Sequence, residues 1–318
     1  LIFLPPLLFE ASWSISFKEM KKWWRIISSF AFLVVLFTAF LVAVVANKFI
    51  PGFTIALGFV LGGIVSPPDA VSTGAITKFV KIPKSTSAIL EGESLLNDAS
   101  SLIILRFALI TVGTGQFIWQ EAAIEFIWMV LGGVAVGLLI AWILMKIHKK
   151  FPTDAPSDIA LTLIAPYIMY LIAEEMHCSG VLAVVSGGLL MSANRLTFLA
   201  STSRIKSISV WESFVFLLNG MVFLIIGLEL PEIVKGIRLQ GIPLGTAITY
   251  GIIVTVILIL ARIISSYVAF ISTIVFRPST VAKMGNHSFT RNWFAPLILG
   301  WTGMRGVVSL AAALSIPI

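Results

Sequence analysis

The sequence predicts an all-α polytopic membrane protein of about ten transmembrane spans, and three observations carry that expectation. First, 58% of the 318 residues are hydrophobic and only 12% charged, with a mean hydropathy of +1.03, against about 25% charged in ordinary soluble domains. Second, apolar runs such as 26–46 and 252–264 are, with their flanks, long enough for spans of about 20 residues. Third, the basic residues segregate between alternate loops.

Ten spans fall near 1–17, 26–47, 54–77, 85–112, 122–145, 157–177, 179–193, 211–229, 244–276 and 294–318. One set of loops carries Lys18, Lys21, Lys22, Arg25; Lys78, Lys81, Lys84; Lys146, Lys149, Lys150; Arg195, Arg204, Lys206; and Arg277, Lys283, Arg291. The alternate set holds Lys48, Lys235 and Arg238, so sixteen basic residues face three. Positive charge accumulates on the cytoplasmic side of membrane proteins, which places loops 18–25, 78–84, 146–150, 195–206 and 277–291 there. The net charge of +7 is then a signature of topology rather than of nucleic-acid binding. Cys178 stands alone, which excludes an intrachain disulfide and a CxxC metal site. The chain opens on Leu1 with span-like residues and no basic leader, as a fragment of a longer protein would.

Three basic residues remain inside spans, Arg106, Arg262 and Arg305, with Glu10, Asp69, Glu91, Glu93 and Asp98 as acidic counterparts. An ionisable group at the bilayer centre costs about 2.5–3.5 kcal/mol on insertion scales, so partners or a hydrated interior are required. Arg106 lies near the outer end of its span and snorkels to the interface. His148 and His287 fall in basic loops and are expected to be solvated; His177 and Cys178 fall in a short outer turn beside Glu174.

Two spans are interrupted at mid-membrane. Ser66-Pro67-Pro68-Asp69 removes two backbone donors in succession. Gly300-Trp301-Thr302-Gly303-Met304-Arg305-Gly306 places three glycines in seven residues. The two run in opposite directions, which is the pattern of an inverted-repeat transporter whose discontinuous helices cross at the substrate site. Arg305 is placed to neutralise the free carbonyl ends, and Asp69 to face free amides.

The fourth span reads Glu91-Gly92-Glu93-Ser94-Leu95-Leu96-Asn97-Asp98. Ser94 and Asp98, at i and i+4, share a face, while Glu93 and Asn97 form the neighbouring row. A hydroxyl and a carboxylate together suit a hard cation, which takes oxygen ligands. The carboxylate also takes a proton, and burial disfavours its empty charged form. Asn97 adds no second proton site, so one cycling carboxylate predicts electroneutral one-for-one exchange. Glu93 requires a partner, and Arg262 is the candidate.

Several runs then resemble the cation/proton antiporter superfamily, and within it the electroneutral sodium/proton exchangers of bacteria, archaea and animals. They are Phe3-Leu4-Pro5-Pro6-Leu7-Leu8-Phe9-Glu10, Ser66-Pro67-Pro68-Asp69-Ala70-Val71, the Glu91–Asp98 run, Ala261-Arg262 and Gly303-Met304-Arg305-Gly306, with Ala173-Glu174, His177, Ser179 and Gly180. The resemblance covers the whole chain in order. It implies an inverted-repeat antiporter fold exchanging Na+, or Li+, for H+ in a homodimer; the sequence shows no nucleotide motif or metal-cofactor pattern, so ion gradients are expected to drive it without a cofactor. It implies that Asp98 carries the ion or proton, that Ser94 and Glu10 assist Na+ coordination, and that Asp69 supports the site. It also implies that Glu93 is ion-paired with Arg262. Where many relatives have Thr, this chain has Pro68, whose carbonyl remains as an oxygen ligand but whose hydroxyl is lost. Relatives have about two spans before the first of these and at least one after the last.

On this reading 26–112 and 244–318 form most of a moving core, and 1–17 and 122–229 form scaffold and dimer surface. Potassium/proton exchange on the same fold is the near alternative, and a cation channel a more distant one. An intramembrane aspartyl protease would show Gly-x-Gly-Asp at its aspartates, which neither Asp69 nor Asp98 has. No hydrolytic arrangement is present in the sequence, and the chain is expected not to be an enzyme.

Overall fold

The computed structural model describes residues 2–15, 17–68, 84–115, 119–151, 154–276 and 295–301. Helices account for nearly all of them, and no strand occurs among the described residues. Helices α1 (Leu4–Ser14), α2 (Phe17–Ser28), a π segment (Ser29–Val34), α3 (Val35–Phe49) and α4 (Ile55–Val65) are followed by α5 (Lys84–Thr114) and α6 (Trp119–Lys150). Then come α7 (Ala155–Glu175), α8 (Gly180–Phe198), α9 (Ser201–Leu239), α10 (Leu244–Phe276) and α11 (Ala295–Trp301). Seven helical stretches among the described residues are long and apolar enough to cross a membrane, and Ile55–Val65 is a shorter apolar helix.

Three stretches expected as basic loops are helical. Residues 18–25 belong to α2, which runs through the π segment into α3, so one helical rod spans Phe17–Phe49. Trp23 and Ile27 turn inward, while Lys21, Lys22, Trp24 and Arg25 stay on the more exposed side, with the Arg25 guanidinium 5.6 Å from the Trp24 ring centroid. Residues 146–150 are the last turns of α6, and 195–206 are the end of α8 and the start of α9. In α2 the helix persists through its charged residues because their spacing is amphipathic, with Trp23 and Ile27 on the buried side and Lys21 and Arg25 on the exposed one. The 39 residues of α9 extend about 58 Å, far more than the about 30 Å of bilayer core. The expected loops 78–84 (its helical Lys84 apart) and 277–291 lie outside the described residues.

The chain divides into two compact units, 1–22 with 117–224, and 23–116 with 225–318. In the first, α8 is central and packs against α6, α1 and α7. Close approach rests on glycines: Gly133 on α6 faces the Ser179 carbonyl, where a Cβ would sit 2.6 Å away. The α7–α8 turn is closed by Glu174, whose Oε1 accepts from the Gly180 amide at 3.2 Å, and by Ser179 as N-cap of α8. His177 takes a left-handed φ of 56° in that turn. At the other end Ser203 donates to buried Asp158 at 2.7 Å, and Trp211 Nε1 donates to Thr162 at 3.3 Å. Phe9 stacks on Trp211 at 5.4 Å.

His148 is not solvated as its basic surroundings suggested. Because α6 extends to Lys150, His148 lies one turn beyond Leu144 on the buried face, and its Nδ1 bonds to the Leu144 carbonyl at 2.8 Å. That carbonyl accepts only, so Nδ1 carries the proton. Its ring meets Phe198 edge-on at 5.3 Å. His287 lies outside the described residues.

At the head of α7 the exposed Asp154 carboxylate caps the helix by accepting from the Ser157 amide. Hydrogen bonding with Ser157 holds its carboxyl below the ordinary 3.8. A depressed folded value means stabilisation that is present above 3.8 and lost as pH falls through that lower value. Amide exchange at Ser157 is expected to accelerate over that acid window in wild type but not in Asp154→Ala.

In the second unit α3 packs on α4, α4 on α5, and α10 on both α3 and α11. Val60, Ile64, Leu105 and Ala108 form one apolar cluster, and Val42, Val254 and Leu258 another. A Cβ on Gly62 would sit 2.6 Å from the Ala39 carbonyl oxygen and 2.9 Å from its Cα. The obstacle is backbone, so α3 and α4 must separate. Gly62→Ala is expected to cost about 1–3 kcal/mol in detergent-solubilised unfolding.

Candidate ion-binding site

The site is built on the second unit, where α4 stops. The helix ends at Val65, and Ser66, Pro67 and Pro68 are buried but not helical. The Ser66 hydroxyl returns to the Gly62 carbonyl, satisfying one of the acceptors left over at the helix end. The peptide groups that follow cannot continue the ladder, because both prolines lack a donor.

Helix α5 supplies the facing side chains. Ser94 donates from Oγ to the Pro68 carbonyl at 3.3 Å, and Asn97 donates from Nδ2 to the same oxygen at 3.1 Å. Both lone pairs of that carbonyl are thus engaged by protein donors. The bonds bring Pro68, Ser94 and Asn97 into one cluster, with Asp98 adjoining Asn97 in sequence. Asp98 is 8% exposed, Ser94 6% and Asn97 fully buried. The Asp98 main-chain carbonyl accepts from Ser101 at 3.0 Å.

One row round the helix, Glu93 is fully buried and meets Arg262 of α10, with Nη2 2.8 Å from Oε1. Two opposite charges buried together need no further neutralisation, so this pair is an electrostatic frame beside the cluster. Glu91 and Arg106 are both exposed on α5.

Not every expected residue falls within the described part of the second unit. Glu10 is part-buried on α1 in the first unit. Asp69 and Arg305 lie outside the described residues, as does the interruption from Thr302 onward; α11 is described as far as Trp301. Sequence reasoning did not single out Ser66, although a Ser one turn after Gly62 and before two prolines is a recognisable helix-end signal. Among the described residues no group of three or more His, Cys, Asp and Glu side chains could hold a resident metal ion.

An apolar helix stops before two buried prolines, while a buried carboxylate one residue from an amide held to that helix end, and a buried ion pair, lie within apolar helices long enough to cross a membrane. The chain belongs to the transmembrane sodium/hydrogen exchanger family, whose model matches residues 1–318. That family is one of transporters, not enzymes. The chain is 31% identical over 326 aligned positions to the uncharacterised Na+/H+ exchanger YjcE of Escherichia coli, covering 100% of this chain and 59% of that protein. It is 33% identical over 276 positions to a sodium, potassium, lithium and rubidium/H+ antiporter of Bacillus subtilis, covering 84% and 40%. The Na+/H+ antiporter ApNhaP of Aphanothece halophytica is 30% identical, covering 100% and 57%. The chain therefore spans between 40% and 59% of the length of these relatives. Its fold matches the sodium/proton antiporter MjNhaP1 of Methanocaldococcus jannaschii, solved at pH 8, with a TM-score of 0.76 at 20% identity, covering 99% of this chain and 71% of that one.

Proposed function

We propose that this chain is the membrane core of an antiporter that exchanges a monovalent cation, Na+ or Li+, for a proton. The observation that carries the reading is that Ser94, Asn97 and Asp98 of α5 are all buried, the first two bonded to the Pro68 carbonyl at the end of α4. The functions for which the relatives are named point the same way.

A buried carboxylate is costly when empty and charged, and neutral when it holds a proton or a monovalent cation. Asp98 therefore crosses loaded, with one ligand or the other, and exchange is one for one and electroneutral. Ser94 donates a hydrogen bond to the Pro68 carbonyl and keeps its hydroxyl lone pairs for a cation. Asn97 and the Pro68 carbonyl, placed in the ion site by sequence, hold its geometry by their mutual bond. Asp69 supports the site and Arg305 compensates the free carbonyl ends, while Glu10 is assigned to assisting cation coordination on the family resemblance alone. The Glu93–Arg262 pair keeps the carrier helix in register. Movement is a rigid-body shift of the core, 26–112 with 244–318, against 1–17 and 122–229, which form the scaffold and homodimer surface. The protein resides in the cell membrane with its basic ends cytoplasmic, and ion gradients alone drive it, with no cofactor.

Potassium is the second substrate to weigh, because the Bacillus subtilis relative is named for potassium and rubidium too. Loss of a side-chain hydroxyl at Pro68 is compatible with a larger, less strictly coordinated ion. Calorimetric cation titrations across pH test the shared-site reading. One proton displaced per cation makes the apparent Kd rise tenfold for each unit by which pH falls where the site is protonated. A Kd independent of pH throughout would sink competition at one carboxylate.

A further inference from the structure

Three buried side-chain oxygens on α5 receive no hydrogen bond from the protein among the described residues: Glu93 Oε1, which is ion-paired with Arg262, and Glu93 Oε2 and Asn97 Oδ1, which are not. They belong to residues four apart on one helix, so they lie on adjacent turns of one face. The orientation of the amide is fixed. The Pro68 carbonyl accepts only, so Nδ2 must face it at 3.1 Å and Oδ1 turns away. Glu93 Oε1 lies 2.8 Å from Arg262 Nη2 as an ion pair whose geometry makes no hydrogen bond, and Oε2 has neither contact among the described residues. Both side chains have no exposed surface, so bulk water does not satisfy them.

Such acceptors call for a donor, and leaving two unpaired costs more than ordering one small molecule between them. A cation would also bind oxygen. Here, however, the Arg262 guanidinium already neutralises the Glu93 carboxylate, and it repels a second positive ion. A neutral donor with two hydrogens fits instead.

We propose that one ordered water bridges Glu93 Oε2 and Asn97 Oδ1, donating a hydrogen to each. The water joins the Glu93–Arg262 pair to the bonds that hold the end of α4. The sequence of contacts becomes Arg262 on α10, Glu93 on α5, water, Asn97, and the Pro68 carbonyl. Through it the position of α10 is communicated to the peptide that closes the α4 end beside Asp98. The water is a positioning element of that frame, and it stands whichever cation is carried and whether or not transport is proton-coupled.

The test is a crystal structure of the full-length protein, at a resolution that orders water, from crystals grown with and without thallium(I). The expected result is a peak at about 2.7–3.2 Å from both oxygens, with no anomalous signal in thallium. An anomalous peak there would replace the water by a cation and overturn the proposal; so would the absence of any peak. In Asn97→Ala the peak should be lost, and full occupancy in that variant would equally contradict it. The wild-type maps decide alone if Asn97→Ala does not fold. Cation-coupled flux of the wild type, measured separately, tells failure of this proposal from failure of the antiport reading.

Discussion

Asp98→Asn is expected to abolish cation-coupled proton flux while leaving the protein folded. The substitution keeps shape and polarity but removes the one charge that alternates between proton and cation. A unit-charge contact at 4 Å is worth about 4 kcal/mol at an effective dielectric of 20, or roughly a thousandfold in affinity. The replacing amide has no titrating proton, so neither half of the exchange survives. Flux in reconstituted vesicles should fall to the leak of empty liposomes, and cation-dependent thermal stabilisation of the detergent-solubilised protein should vanish with it. Stability without cation should stay near wild type, because a neutral amide is easier to bury than a carboxylate. Retained stabilisation by sodium would place the cation elsewhere.

Arg262→Met should have the largest effect on the fold itself. Glu93 is fully buried and its Oε1 lies 2.8 Å from the guanidinium, and removing one member of such a pair costs about 3–5 kcal/mol. The single variant is expected to solubilise poorly and unfold well below the wild type. The double variant Glu93→Leu with Arg262→Met has no orphaned charge, and replacement of buried pairs by apolar residues is often neutral or stabilising. It should regain most of the loss in thermal unfolding, yet transport slowly if the pair registers α5 against α10. Equal instability of single and double variants would show that the pair is not the source of the effect.

Much of this architecture is legible in the sequence because the membrane makes the pattern simple. Runs such as 26–46 and 252–264 admit one reading in hydrocarbon, and helical backbone follows because lipid offers no hydrogen-bond partners. The two prolines at 67 and 68 mark the end of α4 on donor count alone. Residues 18–25 depart from expectation for the opposite reason. A charged segment leaving the membrane is compatible with loop or helix, and the choice rests on Trp23 and Ile27 finding a packing surface. His148 departs with it, since burial of one face of α6 depends on α8, which is distant in sequence.

The site divides similarly. The spacing of Ser94 and Asp98 follows from helical geometry, and Arg262 is a basic residue within a span in need of a buried acid. The bonds from Ser94 and Asn97 to Pro68 bridge separations of 26 and 29 residues, and no local rule specifies which carbonyl a side-chain amide will find. The Asp158–Ser203 bond, across 45 residues, lies beyond sequence for the same reason.

The most direct test of the central claim is internal pH and membrane potential, followed together in proteoliposomes of the full-length protein after a sodium pulse, with potassium and Asp98→Asn in parallel. Alkalinisation or acidification that requires the cation, disappears in Asp98→Asn and generates no potential is the predicted result. Proton flux that persists in Asp98→Asn, or cation current without proton movement, would contradict a single cycling carboxylate and describe a channel instead.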